Sequence, residues 1–565
     1  MNDGRFRHKW WGWGPADVTY DMASRTDFWP WIQRVGGISS RATVFEPVDR
    51  AELQLPPRRT NGEIETVLRS LLAPHQIRTD DDDRLAHAYG RSYRDLVRIR
   101  SGSVDSAPDL VVYPDTHEDV VAVVDVCQKQ GAALMPFGGG TNVVGAVEHR
   151  GGEARVRVTL DLRRMNRLIS VDRASMTAEI EAGAFGPQIE EALAQQGLAL
   201  GHHPDSFVYS TLGGWIATRS AGSHSNAYGK IEDMLLAVRV VTPTGVLETR
   251  AYPAASHGPD WNRLIVGSEG ALGVITSATL KVHPTPEYEE YRMLLFPSFE
   301  RGCQALHECV SGGLMPSVAR LSDEMETELM FAARPPAKGW KRWAERGVQK
   351  ALSLKGYASP AAVVLGFEGP AVSTRPVRDA AMKICRGMGA FDLGRRPGET
   401  WKRSRYDVPY LRDYMMDYAL LADAFETATV WSRVLPLYRD SRRALQDAFR
   451  RETGNDGYLG CHISHLYDTG ACLYFTIGVR ARAGATPSEM NEQYAAIKAS
   501  ASEAFVRNGG TLSHHHGVGY EHEPWMDRDH SEPALRGFDH LKDALDPSGI
   551  MSPGNLRRPS PPQAV

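Results

Sequence analysis

Pro136-Phe-Gly-Gly-Gly-Thr-Asn142 continues directly from the strand-like stretch Ala132-Ala-Leu-Met-Pro136, and its reading decides the fold. Glycines have no Cβ, so backbone N–H groups can converge there on an anion, while Thr141 and Asn142 add side-chain donors. The loop lacks the Gly-Lys-Ser/Thr ending of a Walker loop and the G-x-G-x-x-G spacing of a dinucleotide fingerprint. Taken alone it would serve equally well as a turn. Three companions give it weight. Pro204-Asp-Ser-Phe-Val-Tyr-Ser-Thr-Leu-Gly-Gly214 joins a proline turn, hydroxyls and a glycine pair. Ala217-Thr-Arg-Ser-Ala-Gly222 follows, and Gly267-Ser-Glu-Gly-Ala-Leu-Gly-Val-Ile-Thr276 turns into a strand. Such loops, spread between residues 136 and 276, are more than one phosphate needs and suit a long ligand with a pyrophosphate and a flat ring system.

Outward from the loop, short strand patterns fall at 110–113, 156–160, 177–181 and 236–242. Helical spacing covers 116–130, with Thr116 as N-cap and acids in the first turn, and 186–196. A βαβ opening followed by strands predicts an α+β domain over 104–285. Residues 286–505 predict a second α+β domain, with helical patterns at 410–424 and 435–452 and strands at 362–367 and 471–479. Residues 1–103 are polar, proline-punctuated and Trp-rich at their start, which predicts an extension packed on the body. Residues 506–565 carry a helix, a histidine run and the turn Asp546-Pro-Ser-Gly549.

The 565 residues are 42% hydrophobic and 24% charged, with net charge -4, which argues against a nucleic-acid partner. No apolar run reaches the roughly 20 residues that a membrane span requires. The N-terminus has charge without a following apolar stretch, and the end carries no Ser-Lys-Leu address, so a cytoplasmic location is expected. Cysteines 127, 303, 309, 385, 461 and 472 show no C-x-x-C spacing and suit a reducing compartment. Segment 338–355 mixes lysines and arginines with Trp340, Trp343, Val348, Leu352 and Leu354. Such a helix fits peripheral contact with an anionic membrane and equally a solvated surface.

The histidine run is His514, His515 and His516, between Ser513 and Gly517-Val518-Gly519. Imidazole titrates close to neutral pH, so the run reads as a proton-handling loop. The plain alternative is one packed ring, one capping ring and one solvated ring. No metal is expected, because adjacent residues on a strand point to opposite faces and at most two of the three could share an ion.

In this order the glycine-rich segments, with Asp546-Pro-Ser-Gly-Ile-Met-Ser-Pro-Gly-Asn555, resemble the FAD-binding domain of the vanillyl-alcohol-oxidase/cresol-methylhydroxylase flavoprotein superfamily. The resemblance implies a two-part FAD-binding domain closed by the C-terminal segment, plus an α+β substrate (cap) domain. It implies FAD contacts at Pro136, Phe137, Gly138, Gly139, Gly140, Thr141 and Asn142, and at Pro204, Asp205, Ser206, Ser210, Thr211, Gly213 and Gly214. Further contacts are implied at Ala217, Thr218, Arg219 and Ser220, and at Glu269, Gly270, Gly273, Val274 and Ile275. No Cys or His lies in the triple-glycine loop, so non-covalent FAD is expected.

The hydroxy-acid branch of that superfamily shows H-x-G-D-G-N-x-H and a later E-H-G-I/V-G that hold a divalent metal. This chain reads His462-Ile-Ser-His-Leu-Tyr467 at the first place, and His515 stands where the glutamate would precede His516-Gly517-Val518-Gly519. Instead it is similar to the alkyldihydroxyacetonephosphate synthase family along almost its whole length. The matching segments include Tyr228-Gly-Lys-Ile-Glu-Asp233, Arg320-Leu-Ser-Asp323, Tyr410-Leu-Arg-Asp413, Phe425-Glu-Thr427, Tyr467-Asp-Thr-Gly-Ala-Cys472 and Ser513 to Gly519. That family exchanges the acyl group of acyl-dihydroxyacetone phosphate for a fatty alcohol, using flavin N5 without net redox. By resemblance Tyr467 takes the C1 proton role, His514, His515 and His516 supply the base and polar wall, Arg412 binds an anionic part of the substrate, and Arg320 supports it. The plain alternative for Arg412 is a helix-surface Arg–Asp pair contributing little. A homodimer is expected from the family. The alternative activity is an FAD-dependent D-2-hydroxy-acid oxidoreductase of the same superfamily, and a third reading is a flavin subunit that only relays electrons.

Overall fold

The computed structural model describes residues 8–556, apart from 39, 60–61, 151–154, 337–338, 340–342, 344–346 and 348–349. On the glycine-loop side, a four-stranded sheet runs in the order Ile77–Arg78, Leu110–Val112, Arg157–Asp161, Ala133–Phe137. The last three strands are parallel, and Leu110–Val112 and Arg157–Asp161 are buried at every residue, as strands covered on both faces must be. Helix His117–Gln130 covers this sheet. It starts on the Thr116 capping box, stops at left-handed Gly131 and buries Val120, Val123, Val124 and Cys127. A five-stranded antiparallel sheet, centred on Val274–Lys281, shares the same apolar core. The C-terminal segment returns here. Leu134 N–H donates to Ile550 O at 2.8 Å, Ser552 N–H donates to Leu134 O at 2.9 Å, and Lys542 pairs with buried Asp546.

The other half is a seven-stranded antiparallel sheet in the order Phe391–Gly394, Tyr288–Phe296, Ala361–Gly369, Val318–Ser322, Tyr458–Tyr467, Gly470–Arg480, Leu420–Val430. Its strands alternate. Leu421, Leu459, Cys461, Leu473 and Phe475 face an apolar core under helices Trp431–Thr453 and Pro487–Arg507. The opposite face carries Ala422, Ala424, Tyr474 and Thr476. One row across the sheet pairs Glu426 with Tyr474, Tyr474 with His462 and His462 with Ser322.

The helical expectation over 410–424 is corrected. Helix Val408–Met416 ends, Ala419 takes φ 54°, and Leu420–Val430 is a strand paired residue for residue with Gly470–Arg480. Leu and Ala favour helix, but eleven residues of paired strand outweigh that preference. The N-terminal aromatics do pack on the body, with Phe28, Trp29 and Trp31 in one cluster with Tyr418, Leu420 and Tyr458. Leu85, Tyr89, Tyr93, Leu96, Val97, Ile99 and Ala107 belong to the core of the seven-stranded sheet. Half of segment 338–355, including Lys338, Trp340 and Val348, lies outside the described residues.

Candidate active site

A cavity of about 740 Å³ separates the glycine loops from the alternate face of the seven-stranded sheet. Its glycine wall is built by contact between loops. A Cβ on Gly139 would lie 1.7 Å from Tyr209 O, and one on Gly138 would lie 2.2 Å from Thr211 Oγ1, so no side chain fits there. Residues 136–142 all line the cavity, as do Pro204, Asp205, Ser206, Ser210, Thr211, Gly213, Gly214, Ala217, Thr218, Ser220, Glu269, Gly270, Gly273 and Ile275. Two expected contacts turn away. Arg219, in the left-handed region, pairs with Glu232 at 3.1 Å, and Val274 is fully buried in its strand opposite Val241.

The cap wall is charged. Arg412 lies on helix Val408–Met416 and lines the cavity, and its buried Nε and Nη2 have no hydrogen-bond partner among the described residues. Its nearest carboxylate is Asp423, at 3.9 Å. The surface-pair alternative fails, because its side chain is only 11% exposed. Arg320 also lines the cavity but is held by Glu326 at 2.7 Å and His462 at 3.3 Å, a supporting position. The helix bearing Arg412 is clamped by the N-terminal segment: Asp413 pairs with Lys9 at 3.0 Å and accepts the Trp13 N–H at 2.7 Å. Trp13 itself reaches the cavity, a role its sequence context did not signal.

The histidine run is a loop, not a strand, and it divides in two. His515 and His516 line the cavity; His514 and Tyr467 do not. Tyr467 and His514 instead stand behind, with Tyr467 Oη 2.5 Å from His514 Nε2 and His514 Nδ1 2.8 Å from His515 Nδ1. Register explains why Tyr467 misses the wall. It pairs with Gly470, whereas Tyr474 lies four residues further along that strand, roughly 14 Å away at about 3.4 Å per residue. Tyr474 lines the cavity, nearly parallel to His515 (14°, centroids 5.8 Å apart) and edge-on to His516 (82°, 5.4 Å). The sequence reading missed it because a tyrosine in an alternating strand looks like ordinary core.

Burial keeps these rings neutral. It pulls His515 down to about 4 and His514 well below the usual imidazole value, and it pushes the Tyr467 and Tyr474 phenols up. With neutral rings and a protonated phenol, the contacts form one chain. His515 Nδ1–H donates to His514 Nδ1 and His514 Nε2–H donates to Tyr467 Oη, an assignment made from the contacts that leaves His515 Nε2 free to accept a proton.

Two carboxylates hold the loop. Glu426 accepts the Ser513 hydroxyl at 2.8 Å and the N–H groups of His514, His515 and His516 at 2.6, 3.0 and 2.9 Å. Glu269 accepts the N–H groups of Val518 and Gly519 at 2.5 and 2.9 Å. Ligand atoms of His465, Cys472, His514 and His515 lie within 4.8 Å of one another. Both ring nitrogens of His465 and of His514 already have partners, however: Ser464 and Gly222 O for the first, Tyr467 and His515 for the second. The cluster is therefore organised as a hydrogen-bond relay.

Residues 108–250 match the family model for an FAD binding domain, and 285–556 match that for the C-terminal domain of FAD linked oxidases. The chain is 41% identical to an alkyldihydroxyacetonephosphate synthase of Trypanosoma brucei brucei, over 91% of this chain and 83% of that one. It belongs to the alkyldihydroxyacetonephosphate synthase family. The Dictyostelium discoideum synthase is 39% identical over 89% of this chain and 82% of its own length. A solved alkyldihydroxyacetonephosphate synthase superposes with a TM-score of 0.83 at 33% identity, covering 98% of this chain and 100% of that one. p-Cresol methylhydroxylase shares the fold alone, with a TM-score of 0.66 at 15% identity.

The protein is thus a flavoenzyme of this family with FAD as its cofactor. The residues present fit that group. The side-chain-free cradle at Gly138 and Gly139 suits a pyrophosphate, and the cavity continues from there to the cap wall.

Proposed function

We propose that this enzyme exchanges the acyl group of acyl-dihydroxyacetone phosphate for a long-chain alcohol, forming an ether bond without net redox. The single observation that carries this reading is Arg412. A buried guanidinium with two unpartnered nitrogens shares the cavity with His515, His516 and Tyr474, and a planar fork of this kind suits phosphate or carboxylate. A second observation supports the long chain: Leu329, Met330, Phe331, Trp401, Val408 and Met415 line the same cavity.

Residues 136–142 and the loops at 204–214 and 269–275 would hold FAD, which would supply the reactive ring system of the exchange. The protein does the rest. Arg412 binds the anionic end of the substrate. Tyr474, on the wall, takes the C1 proton role that the family resemblance assigned to Tyr467, its own O–H proton passing to the neighbouring neutral His516 as the C1 proton arrives. The acyl group leaves as a carboxylate. The incoming alcohol loses its O–H proton to His515 or His516, and the Tyr467–His514 pair backs His515 by orienting its ring.

The test is anaerobic mixing, with flavin absorbance followed throughout. Fatty acid release that requires added alcohol, with the flavin unbleached, supports exchange. Bleaching by D-2-hydroxy acids, without exchange, overturns it in favour of the oxidoreductase.

No helix among the described residues is long and apolar enough to cross a membrane. We further propose peripheral contact through segment 338–355, where described Trp343 is 74% exposed and Leu354 is 82% exposed. Failure to sediment with anionic liposomes at low salt rules this out. A homodimer, proposed on the family resemblance, is checked by the mass in solution.

A further inference from the structure

Position 515 holds a histidine where the metal-binding branch carries a glutamate, yet a carboxylate still meets this loop in space. It comes from Glu426, on strand Leu420–Val430, directly across from Tyr474. Its side chain is fully buried and receives four hydrogen bonds, from Ser513 and three successive backbone N–H groups. His515 Nδ1 lies 3.8 Å and His516 Nδ1 3.7 Å from its oxygens, too far for hydrogen bonds but close for charge.

We propose that Glu426 is a positioning residue of the exchange reaction: its carboxylate shapes the histidine loop, and its negative charge keeps His515 and His516 basic enough to accept the alcohol proton. The proposal rests on the exchange reading given above.

The surroundings make Glu426 the main source of negative charge at these rings. Facing His515 are Glu426, His516, Lys230 and the more distant Asp205, with His465 and His202 nearby. Facing His516 are Glu426 and Lys498, and the latter is already paired with Glu521. Tyr474 and Cys472 are held protonated by burial. Burial opposes the ionisation of Glu426 itself, but the facing imidazoles and the loop N–H groups outweigh it and hold the carboxyl well below its usual range.

The loop does not depend on Glu426 alone for attachment. Thr511 N–H donates to Ala428 O at 2.9 Å, Ala428 N–H donates to Thr511 Oγ1 at 3.0 Å, and Thr427 Oγ1 donates to Thr511 O at 2.7 Å. Glu426→Gln therefore removes the charge while the neighbouring anchors stay.

The experiment is a pH titration of the histidine rings by ¹⁵N NMR in the holoenzyme, with the pH profile of exchange measured alongside, for wild type, Glu426→Gln and Glu426→Asp. Loss of the charge lowers the ring pKa values of His515 and His516 by roughly one to three pH units. The acid limb of kcat moves to lower pH, because the base must be neutral to act. The plateau falls roughly 10²-fold, since the base is weaker, with KM changed far less. Glu426→Asp keeps the charge and shifts both readouts by less than half as much. Ring titrations and an acid limb that coincide with wild type in Glu426→Gln overturn the proposal while leaving the exchange reading intact. Shifted titrations in a protein that exchanges nothing overturn the exchange reading instead. If Glu426→Gln does not fold, the Glu426→Asp titration decides: a smaller fall in the same direction supports the proposal, and unchanged values overturn it.

Discussion

The two ends of the histidine loop are held by buried glutamates whose pKa values are shifted in opposite directions. Glu426, on the cap side, stays ionised, whereas burial pushes the Glu269 carboxyl up to about 7 against two N–H donors. Both are closed off from water, so burial alone does not separate them. Glu426 has a hydroxyl, three N–H groups and nearby imidazoles; Glu269 has Val518 and Gly519. The facing imidazoles, and after them the additional donors, separate the two carboxyls. The walls differ in the same way. The glycine wall works by shape, with loops touching where no Cβ fits; the cap wall works by charge, through side chains that sheet register puts in a row.

The largest expected effect breaks the wall of shape. Gly139→Ala places a methyl against Tyr209 O, so the purified protein should carry no flavin absorbance and show no exchange activity. Retained, stoichiometric FAD would show that the loops can part. Breaking the wall of charge costs less. Arg412→Met should keep its FAD and lose roughly 10²–10³-fold in kcat/KM for the phosphate-bearing substrate, since charged hydrogen bonds are worth about 1.5–3 kcal/mol each. A variant losing FAD instead would move Arg412 to the cofactor.

The two tyrosines sharpen the contrast within the cap. Tyr474→Phe should lower kcat roughly 10²-fold, and Tyr467→Phe by about tenfold or less, because Tyr467 acts only through His514. The reverse order in steady-state kinetics would return the C1 proton to Tyr467.

The smallest effect concerns Glu269. Its folded pKa lies above the ordinary carboxylate value of about 4.3, so the native state binds its proton more tightly than the unfolded chain. Its contribution to stability is complete below the unfolded pKa and is lost as pH rises through about 7. Glu269→Gln should therefore flatten the fall in Tm between pH 5 and pH 8 by about 2–4 °C, read by thermal melts at matched scan rates.

The glycine side was legible in the chain itself. Gly138 and Gly139 declare a close backbone approach, and nearly every contact expected at 136–142 and 204–220 reaches the cavity, because a loop's shape is written locally in its residues. Arg219 and Val274 are the exceptions, one turned to Glu232 by a left-handed backbone and the other turned into the core by a strand register that no motif displays. The cap side was legible only as a set of chemical types. That histidines, a tyrosine and an arginine gather on this side could be read from Tyr410-Leu-Arg-Asp413 and the run at 514–516. Which of them faces the cavity could not. The sequence by itself determined the cofactor cradle and the inventory of acids and bases. Only the tertiary structure decided that Tyr474 rather than Tyr467 stands on the wall, that His514 stands behind His515, and that Glu426 supplies the carboxylate missing at 515. The physical reason is that pairing among strands far apart in the chain fixes which residues share a row, and a shift of register moves a side chain along or across the sheet without altering its local sequence.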